Sequence, residues 1–406
     1  MNVVLFDDEW RVNLLPLSAT RPSANFVVGI LTIAEKWEKH LSAKVSYKTK
    51  AYLSLKYPTN LETTNIFING RYLPNPELVQ AIKTLKSGET ISDGDKLVAC
   101  VLNHQEALQF VNDNFSFAHF TQIKLSVKLL HISKCPDIFS LNGQEIERDF
   151  DLLTSGRISA KLSDRNILIC PEKIFIEEGV IMECGVLNAT NGPIYIGKNA
   201  ELMEGVMVRG PFALGENSQL KMGAKIYGPT TIGKHCKVGG EVNNSVFFNY
   251  SNKAHDGFIG NSVIGEWCNL GADTNTSNLK NNYAEVKLWN YPAEKYLKTG
   301  LQFCGTIIGD HSKFGINTML NTGTIVGVSA NVFGSGFPRN FIPDFSWGGA
   351  HGFETFSIAK AFEVAKIVFN RRGLQFDEAE QQILTYVFNE TQKYRPWEMA
   401  IKKPLI

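Results

Sequence analysis

The chain has 406 residues, of which 44% are hydrophobic and 20% are charged. This length exceeds what one ordinary hydrophobic core accommodates, so it predicts at least two domains. The 41 Lys and Arg residues nearly balance the 40 Asp and Glu residues, and the formal net charge of +1 excludes a chain-wide attraction to nucleic acid or to an anionic membrane.

The first residues, MNVVLFDDEW, are acidic where a secretory signal peptide would be basic. No later apolar run approaches the ~20 residues that span a bilayer. We therefore expect a cytoplasmic protein with neither a membrane nor a nucleic acid as partner. The 7 cysteines are widely spaced and form no C-x-x-C pair, which predicts reduced thiols rather than a disulfide framework or a zinc knuckle.

Residues 1–150 have the pattern of an α/β domain. Asn75 followed by Pro76 forms a helix-start signature, and a further helix is predicted over residues 30–41. Short apolar runs predict strands at 3–6, 66–68 and 96–102. This alternation of strand, turn and helix is typical of nucleotide-binding α/β domains, although such folds host many activities.

Residues 151–350 contain a repeat of six residues. Aliphatic residues occupy every sixth position at Ile196, Leu202, Val208, Leu214, Leu220, Ile226, Ile232 and Val238. After a slip of two positions the series resumes at Val246, skips Asn252, and continues through Phe258, Ile264 and Leu270. It reappears after an insertion at Ile308, Phe314, Leu320, Val326 and Val332. A period of six predicts a hexapeptide β-helix whose aliphatic residues point inward and whose coils stack on one another.

Residues 351–406 are predicted to be helical. A helical pattern covers 358–368, and Asp377 is in position to cap a second helix that runs to about Glu390. Because the open end of a solenoid exposes unpaired backbone groups, we expect these helices to form a cap.

The segment HDGFIGNSVIGEWCNLGADTNTSNL, residues 255–279, resembles the acetyltransferase half of bifunctional enzymes that acetylate glucosamine-1-phosphate and then couple the product to UTP. Nearly the whole chain resembles a variant group of these enzymes that shares the blocks SNKAHDGF, GEWCNLGADT and SNLKNNY. The resemblance implies a nucleotidyltransferase-like domain over 1–150, a left-handed parallel β-helix over 151–350 and the helical cap over 351–406. It also implies a homotrimer with active sites between neighbouring subunits.

The same resemblance implies roles for particular residues. His255 stands five residues before Gly260 in H-D-G-F-I-G and matches the family's general base. Asn269 and Asn278 match two asparagines that line the pocket for the amino-sugar and the acetyl donor. Phe258 stands where the usual enzymes have tyrosine, and it is a candidate substrate contact.

Two further positions concern lysine. Lys287 matches a lysine needed by a related branch of the family, although a charged strand face explains it equally well. Asn243 stands twelve residues before His255, where a lysine for the sugar phosphate is common. Phosphate recognition therefore differs from the family pattern, or the amino-sugar is not the standard one.

The chemistry explains why a histidine is needed. An amino-sugar is mostly ammonium at pH 7, and only its neutral amine attacks the thioester of acetyl-CoA, so an imidazole with a pKa near 6.5 is suited to take the proton. Backbone N–H groups are suited to stabilise the charge on the carbonyl oxygen. Because flat coils offer no pocket, we expect the insertion at about 275–303 to form one and to reach a neighbouring subunit. The alternative is that His255 is an ordinary exposed loop histidine.

A zinc site is a second alternative. Hexapeptide β-helices include zinc-dependent carbonic anhydrases, and His235, His255 and His311 all lie in the repeat. The ligand pair that those enzymes carry five residues apart is absent, because Gly260 stands five residues after His255. The sequence therefore disfavours this alternative.

The front domain departs most from its family pattern. Sugar nucleotidyltransferases use a glycine-rich loop to approach phosphates, but the stretch FDDEWRVNLLPLSATRP contains no glycine, and the metal-binding G-D step reads Asn69-Gly70. The remaining candidates for a nucleotide are Arg21, Lys36 and Arg71 for phosphate and Asp7 or Asp8 for a metal ion, although each also suits a surface role.

Three hypotheses therefore stand. In the first, acetyl-CoA-dependent N-acetylation of an amino-sugar 1-phosphate is coupled to uridylyl transfer from UTP, with Mg²⁺, giving UDP-N-acetylglucosamine. In the second, only acetyl transfer remains, and the front domain is a non-catalytic sugar-nucleotide-binding or scaffolding module. In the third, the solenoid is a trimerisation stalk without enzymatic activity.

Overall fold

The structure is a computed structural model that describes residues 2–401, so the last five positions of the predicted cap, 402–406, lie outside the described residues. The chain divides into two compact units. The first comprises the residues up to Leu14, Thr20–Phe26 and Leu31–Ser133, and the second comprises Leu15–Ala19, Val27–Ile30 and the chain from Lys134 onward. The predicted limits at residues 150 and 350 divide the chain by expected function rather than by compactness, and they stay predictions.

The first unit is built on a sheet that, in the described residues, has six strands in the order β2-β1-β3-β5-β4-β6. The strands are β1 (Asn2–Phe6), β2 (Val45–Lys48), β3 (Thr64–Asn69), β4 (Glu89–Asp93), β5 (Lys96–Asn103) and β6 (Thr121–Ile123). The helices are α1 (Ile33–Leu41), α2 (Pro76–Thr84) and α3 (His104–Val111). The predicted α/β character is confirmed, and α2 begins as expected because Asn75 Oδ1 accepts a hydrogen bond from Leu78 N at 2.8 Å.

The second unit is a parallel β-helix whose coils pass through three faces. Face 1 comprises β7 (Ile167–Ile169), β10 (Val186–Asn188), β13 (Met207–Arg209), β16 (Lys225–Tyr227), β19 (Glu241–Asn243) and β22 (Phe258–Gly260), and the pair β25 (Asn275–Thr276) and β30 (Met319–Leu320) continues it. Face 2 comprises β8 (Ile174–Ile176), β11 (Ile194–Ile196), β14 (Phe212–Leu214), β17 (Thr230–Ile232), β20 (Val246–Phe247), β23 (Val263–Ile264), β28 (Thr306–Ile308), β31 (Thr324–Val326) and β33 (Phe341–Ile342).

Face 3 comprises β9 (Ile181–Met182), β12 (Glu201–Leu202), β15 (Gln219–Leu220), β18 (Lys237–Val238), β21 (Asn252–Lys253), β24 (Asn269–Leu270), β29 (Lys313–Phe314), β32 (Asn331–Val332) and β34 (Ser346–Gly349), with β35 (Gly352–Thr355) antiparallel to β34. The unit also contains the hairpin β26 (Lys287–Asn290) and β27 (Lys295–Lys298) and the helices α4 (Asp137–Thr154), α5 (Ile358–Asn370), α6 (Glu378–Glu390) and α7 (Pro396–Ile401). The predicted left-handed hexapeptide β-helix is confirmed.

A continuous stack of aliphatic side chains fills the β-helix. On the inner side of face 1, Leu187, Val208, Ile226 and Val242 follow one another in register from coil to coil, and all are buried. Burial of each such side chain contributes about 1.5–3 kcal/mol relative to an exposed one. Because each inward residue contacts mainly the coils directly above and below, the stack is stabilised by nearest-neighbour contacts.

The repeat changes register because one coil is shorter than the others. Leu214 pairs with Ile232, 18 positions later, but Ile232 pairs with Phe247, only 15 positions later. Phe247 therefore joins the core where Val246 was expected, and Ile259 joins it where Phe258 was expected. The prediction of Val246 and Phe258 as inward residues is wrong by one position.

Ring side chains stack along the corner between faces 2 and 3. His235, Tyr250, Trp267 and His311 have φ angles of 58° to 64°, in the left-handed region. The ring centroids of Tyr250 and Trp267 are 4.2 Å apart, and those of Trp267 and Phe369 are 4.1 Å apart. Phe369 belongs to α5, so α5 is held along this corner by ring stacking.

The predicted C-terminal helices are confirmed, and most of their contacts lie along the same corner. Helices α5 and α6 bury Ala361 and Leu384 in a cluster with Val328 and Phe345 of the solenoid. The last coil is followed by the β34–β35 hairpin. None of the described helices is long and apolar enough to cross a membrane.

Helix α4 covers face 2. A Cβ on Gly143 would lie 2.9 Å from the ring of Pro229, so only glycine lets the helix approach this closely. Asn142 Oδ1 accepts a hydrogen bond from Gly29 N at 2.8 Å, and Thr231 Oγ1 donates to Gly29 O at 2.8 Å. These bonds attach the early segment Val27–Ile30 to the second unit.

The insertion folds back onto its own solenoid. It forms the hairpin β26–β27, and Val286 and Leu288 beside and within β26 are buried. The ring of Trp289 stacks on Phe341 of face 2 with centroids 4.5 Å apart. The apolar side chains of this hairpin are thus used within the same chain, and the expectation that the insertion also reaches a neighbouring subunit stays a prediction.

Asp344 supports the corner of the last coil. Its Oδ1 accepts a hydrogen bond from Val328 N at 2.7 Å, in the coil below. The side chain is fully buried. Burial raises the pKa of Asp344 to about 6, although the hydrogen bond from Val328 and the charge of Arg395 lower it. Ionisation of this carboxyl group therefore opposes folding.

Replacement of Asp344 by Asn is expected to stabilise the protein at pH 8 but not at pH 4. The contribution of the carboxyl group is present below its ordinary pKa of 3.8 and is lost as the pH rises through about 6, which corresponds to roughly 3 kcal/mol. The measurement is the free energy of unfolding of wild type and Asp344→Asn across this pH range, with Asp164→Asn as an exposed control. A difference that does not change with pH would contradict the assignment.

Candidate functional site

His255 lies at the corner where the chain passes from face 3 to face 1. Residues 254–257 connect β21 to β22, and both His255 and Asp256 are exposed. Gly257, with a φ of 112°, makes the turn in a conformation that favours glycine. The histidine is therefore presented to solvent from a defined backbone turn.

Lys253 holds this turn from the inside of the coil. Its side chain takes the place of an inward aliphatic residue and is only 1% exposed. The ammonium group donates hydrogen bonds to the carbonyl oxygens of Gly239 at 3.2 Å, His255 at 2.7 Å and Asp256 at 3.0 Å. Burial lowers the pKa of Lys253 to about 8, although the charges of Asp256 and Asp273 raise it. The backbone of His255 is thus fixed by an internal cation.

Sequence reasoning missed Lys253, although a signal was present. The aliphatic series skipped Asn252, and the structure shows that the neighbouring Lys253 fills the inward position, in register with Val238 below it. A lysine next to a missing aliphatic residue was the available clue. The three carbonyl acceptors come from two coils, so the repeat alone did not predict them.

Two glycines in the coil below make room for the turn. A Cβ on Gly239 would collide with the carbonyl oxygen of Ala254, and a Cβ on Gly240 would lie 2.7 Å from Gly257 O and 3.0 Å from Lys253 Nζ. Gly240 also has a φ of 72°. Because neither glycine has a side chain, the turn that contains His255 packs directly on the corner below it.

Phe258 and Asn278 meet on the outer side of face 1. A Cβ on Gly260 would lie 2.5 Å from the ring of Phe258 and 2.6 Å from Asn278 Nδ2, so both side chains cover this glycine. Asn275 Oδ1 accepts a hydrogen bond from Phe258 N at 2.8 Å. The structure therefore brings together Phe258 and Asn278, next to the corner that carries His255.

Asn278 also has a structural role. Its Nδ2 donates to Asn261 Oδ1 at 2.8 Å, and its backbone oxygen accepts a hydrogen bond from Cys304 N at 2.9 Å. Asn261 and Asn244 occupy the corner between faces 1 and 2 with φ angles of 49° and 43°. Asn278 thus extends the row of corner asparagines formed by Asn244 and Asn261. Its side-chain amide also borders Phe258, so this residue has both a structural contact and a place in the candidate site.

The other two predicted contacts lie elsewhere. Asn269 is exposed on β24 of face 3, where its Oδ1 accepts a hydrogen bond from Asn252 Nδ2 at 2.7 Å. Lys287 is exposed on β26, in the hairpin that packs against face 2. Within one chain, Asn269 flanks the His255 corner on one side, Phe258 flanks it on the other, and Lys287 is not part of this group.

Within one chain, the three histidines of the repeat are not brought together. His235 and His311 belong to the ring stack between faces 2 and 3, whereas His255 lies at the corner between faces 3 and 1. Burial lowers the pKa of His235, and the charge of Arg372 lowers it further. Among the described residues no group of three or more His, Cys, Asp or Glu side chains is arranged to hold a metal ion.

In the first unit, an ion pair occupies the usual ligand crevice of an α/β sheet. Strands β2 and β3 lie on opposite sides of β1, and ligands generally bind outside the carboxyl ends of strands at such a switch point. There Arg71 Nε donates to Asp8 Oδ1 at 2.9 Å and Arg71 Nη1 to Ile132 O at 3.0 Å, and Asn69 Nδ2 donates to Asp8 Oδ2 at 2.9 Å. Burial raises the pKa of Asp8, but the hydrogen bond and charge of Arg71 outweigh it and leave the pKa lowered.

Asp7 is also surrounded by protein donors. Its carboxylate accepts hydrogen bonds from Ser23 N at 3.0 Å and Thr49 Oγ1 at 2.6 Å, and it pairs with Arg11 at 3.2 Å. The oxygens of Asp7 and Asp8 therefore do not fit a ready Mg²⁺ site.

The candidate phosphate ligands of the first unit are buried rather than exposed. Arg21 is 4%, Lys36 is 1% and Arg71 is 0% exposed. The surface role considered for these residues is therefore excluded. A phosphate would reach Arg71 only if its pairing with Asp8 opened.

Residues 3–158 match the family model described as sugar nucleotidyl transferase. The chain is 35% identical over 144 residues to the bifunctional sugar-1-phosphate nucleotidylyltransferase/acetyltransferase of Sulfurisphaera tokodaii, covering 35% of each chain. It is 37% identical over 87 residues to the bifunctional protein GlmU of Methanococcus aeolicus, covering 21% of this chain and 20% of that one. Part of this chain is therefore similar to bifunctional GlmU-type nucleotidylyltransferase/acetyltransferases. The resemblance predicted from the sequence blocks is confirmed.

The chain aligns with about a third of the first relative's length and a fifth of the second's. Among solved structures, an Arabidopsis UDP-N-acetylglucosamine acyltransferase covers 61% of this chain and 86% of its own at 14% identity and a TM-score of 0.23. The polySia-specific acetyltransferase NeuO covers 48% and 86% at 13% identity and a TM-score of 0.26. Both scores are low, and the strand pairing itself establishes the β-helix.

Replacement of Lys253 by Met is expected to loosen the turn that carries His255. Three carbonyl oxygens would lose a charged donor, and each such hydrogen bond contributes about 1.5–3 kcal/mol. Amide hydrogen exchange of residues 254–258 should therefore become at least about tenfold faster, while exchange in other coils stays unchanged. The exposed Lys225→Met is the control. Unchanged exchange at 254–258 would show that Lys253 does not hold the turn.

Proposed function

We propose that the protein transfers the acetyl group of acetyl-CoA to the amine of an amino-sugar 1-phosphate, with glucosamine-1-phosphate as the first candidate substrate. The site lies on the outside of the β-helix around His255, and His255 is the general base. The observation that carries this proposal is the turn of residues 254–257, which an internal lysine and two glycines hold so that an imidazole is exposed. The similarity to the Sulfurisphaera tokodaii relative, a nucleotidylyltransferase/acetyltransferase, supports the same reaction class.

The reaction forms an amide bond. The neutral amine attacks the thioester carbonyl, the new N–C bond forms and the C–S bond breaks. The imidazole of His255 takes the proton of the amine and returns it to the departing thiolate of coenzyme A. An exposed ring suits this role, because both substrates arrive from solvent, and the fixed backbone of the turn limits the positions that the ring can sample.

The substrate contacts proposed on face 1 are Phe258 and Asn278. The ring of Phe258 offers an apolar surface to a sugar ring, and the amide of Asn278 offers a donor and an acceptor beside it. Asn269 borders the same corner from face 3 and is the third proposed contact. Lys287 remains a proposed contact only through a second chain, because its own hairpin lies against face 2.

A homotrimer is proposed because one chain gives the site only one wall. His255 is exposed, and the outer side of face 1 carries exposed apolar residues in the lower coils, including Ile167 at 59% and Met207 at 49%. Exposed apolar rows of this kind favour association with another protein surface. A second copy packed on this side would supply the opposite wall for acetyl-CoA and the amino-sugar.

Because residue 243 is asparagine, recognition of the sugar phosphate requires a cation from another position. Asn243 lies on the outer side of face 1, and the adjacent strand in the coil below contains the exposed Lys225, with Arg209 one coil further. These two cations point outward on the same face. They are the proposed phosphate contacts, and Lys225 lies in register with Glu241, two positions before Asn243.

Replacement of His255 by Ala is expected to lower kcat for acetyl transfer to glucosamine-1-phosphate by about 10²- to 10⁴-fold, which is typical for loss of a general base. The measurement is release of coenzyme A thiol with a panel of amino-sugar phosphates. The exposed His119→Ala is the matched control and should keep the wild-type rate. Near-normal turnover of His255→Ala would refute the catalytic role, and turnover of none of the panel by wild type would refute the substrate class.

For the first unit, the ion pairing favours a binding or scaffolding role over uridylyl transfer. The carboxylates of Asp7 and Asp8 are engaged by protein donors, and Arg71 is engaged by Asp8. The family match of residues 3–158 supports recognition of a sugar nucleotide. In the alternative, the protein is bifunctional, and the first unit uses UTP as co-substrate together with Mg²⁺.

Incubation with UTP, Mg²⁺ and N-acetylglucosamine-1-phosphate is expected to release no pyrophosphate above background. UTP should still bind, and Asp8→Asn should strengthen that binding because it frees Arg71 and removes a negative charge from the crevice. The measurements are pyrophosphate release and calorimetric titration. Sustained release that Asp8→Asn abolishes would instead establish the bifunctional version.

A further inference from the structure

A pocket at the C-terminal end of the β-helix has no role in the acetyl-transfer proposal. It lies between the hairpin β26–β27, strand β33, the turn between β34 and β35, and the start of α7, and its volume is about 530 Å³. Ligand pockets generally measure about 300–1,000 Å³. Its walls contain the rings of Trp289, Tyr296, Phe341, Phe353, Tyr394 and Trp397.

These rings are held in place by contacts with one another and with residues outside the pocket. Trp397 Nε1 donates to Thr355 Oγ1 at 2.8 Å, and Tyr394 Oη donates to Tyr291 O at 3.2 Å. Trp289 stacks on Phe341 with an angle of 12° between the ring planes. The walls are therefore formed before any ligand arrives. Preformed walls reduce the entropy lost on binding.

Arg339 supplies a positive charge at the same pocket. It is exposed, and among the described residues no carboxylate lies within ion-pairing distance of it. Burial raises the pKa of Tyr296, and the charge of Arg339 lowers it, so the guanidinium acts on a ring of the pocket wall. None of the lining residues that the structure describes is acidic. The pocket thus combines flat apolar walls with an available guanidinium group.

Aromatic walls together with a guanidinium group favour a ligand that has both a flat ring and a phosphate. Arginine binds phosphate through parallel N–H donors, and aromatic walls bind flat rings by stacking. A free sugar phosphate fits less well, because its hydroxyl groups need several polar side chains. Among the described lining residues, only Arg339 and His351 have a charged or imidazole side chain. We infer that this pocket binds a nucleoside phosphate, with the base between the rings and a phosphate on Arg339.

The pocket is separate from the His255 turn. Along face 2, β33 lies three strand spacings beyond β23, the strand that follows the His255 coil, which is about 14 Å along the solenoid axis. A nucleoside phosphate at this position has two sources. It is either a free nucleotide, such as a uridine nucleotide, or the nucleotide end of coenzyme A, whose reactive thiol would lie elsewhere.

The test is calorimetric titration of the full-length protein with UDP, coenzyme A, uridine and inorganic phosphate. Arg339→Ala is expected to weaken binding of UDP, coenzyme A or both by about tenfold or more, as loss of a charge-assisted hydrogen bond predicts. Uridine, which has no phosphate, should bind more weakly than UDP and should be insensitive to Arg339→Ala. The exposed Arg165→Ala is the matched control and should leave all affinities unchanged.

A second variant separates this pocket from any nucleotide site in the first unit. Tyr296→Ala removes one ring of the wall and should weaken the ligand that Arg339→Ala weakens. If UDP alone is affected, the source is a free nucleotide, and if coenzyme A alone is affected, the source is the acetyl donor. Unchanged binding of both ligands in both variants, or uridine binding as tight as UDP binding, would overturn the inference. Because binding is read directly, this result is independent of whether His255 is catalytic.

Discussion

Every coil of this β-helix must fill the same narrow interior, because its inward side chains contact only the coils above and below. Where a coil has its full length, three aliphatic residues fill the interior and the faces remain flat. Between Ile232 and Phe247 the chain makes the same circuit with three residues fewer than in the preceding coil. In the next coil Lys253, rather than an aliphatic residue, takes the inward position above Val238. The candidate site lies next to this lysine.

Lys253 shows how the shortened coil and the site are connected. A lysine in an apolar interior is unfavourable unless its ammonium group is hydrogen-bonded, and the three carbonyl oxygens around it satisfy this need. Those carbonyls are available only because Gly239 and Gly240 let the next turn pack closely. The same bonds that allow the lysine to be buried therefore hold the backbone of His255. Stability of the coil and presentation of the imidazole depend on one arrangement.

Outside the interior, the corners determine what the solenoid can attach. Corner residues adopt left-handed backbone and stack on their equivalents in the next coil, with asparagines between faces 1 and 2 and rings between faces 2 and 3. The ring corner holds α5 through Phe369, and face 2 holds α4 and the hairpin β26–β27. The outer side of face 1 carries Phe258 and the exposed apolar residues, and His255 lies at its corner with face 3. Helices α4 and α5 and the hairpin β26–β27 thus lie away from face 1, where the proposed substrate contacts are.

The sequence by itself determined the architecture, because a period of six and its glycines have one structural solution, and the caps of α2 and α6 depend only on neighbouring residues. The blocks around His255 also indicated the family. Only the tertiary structure decided the inward position of Lys253, the separation of Lys287 from the site and the pairing of Arg71 with Asp8. Each of these depends on residues that are distant in the chain, or on a one-residue shift in register. No local pattern contains that information, because side chains two coils or two strands apart meet only after the backbone has closed.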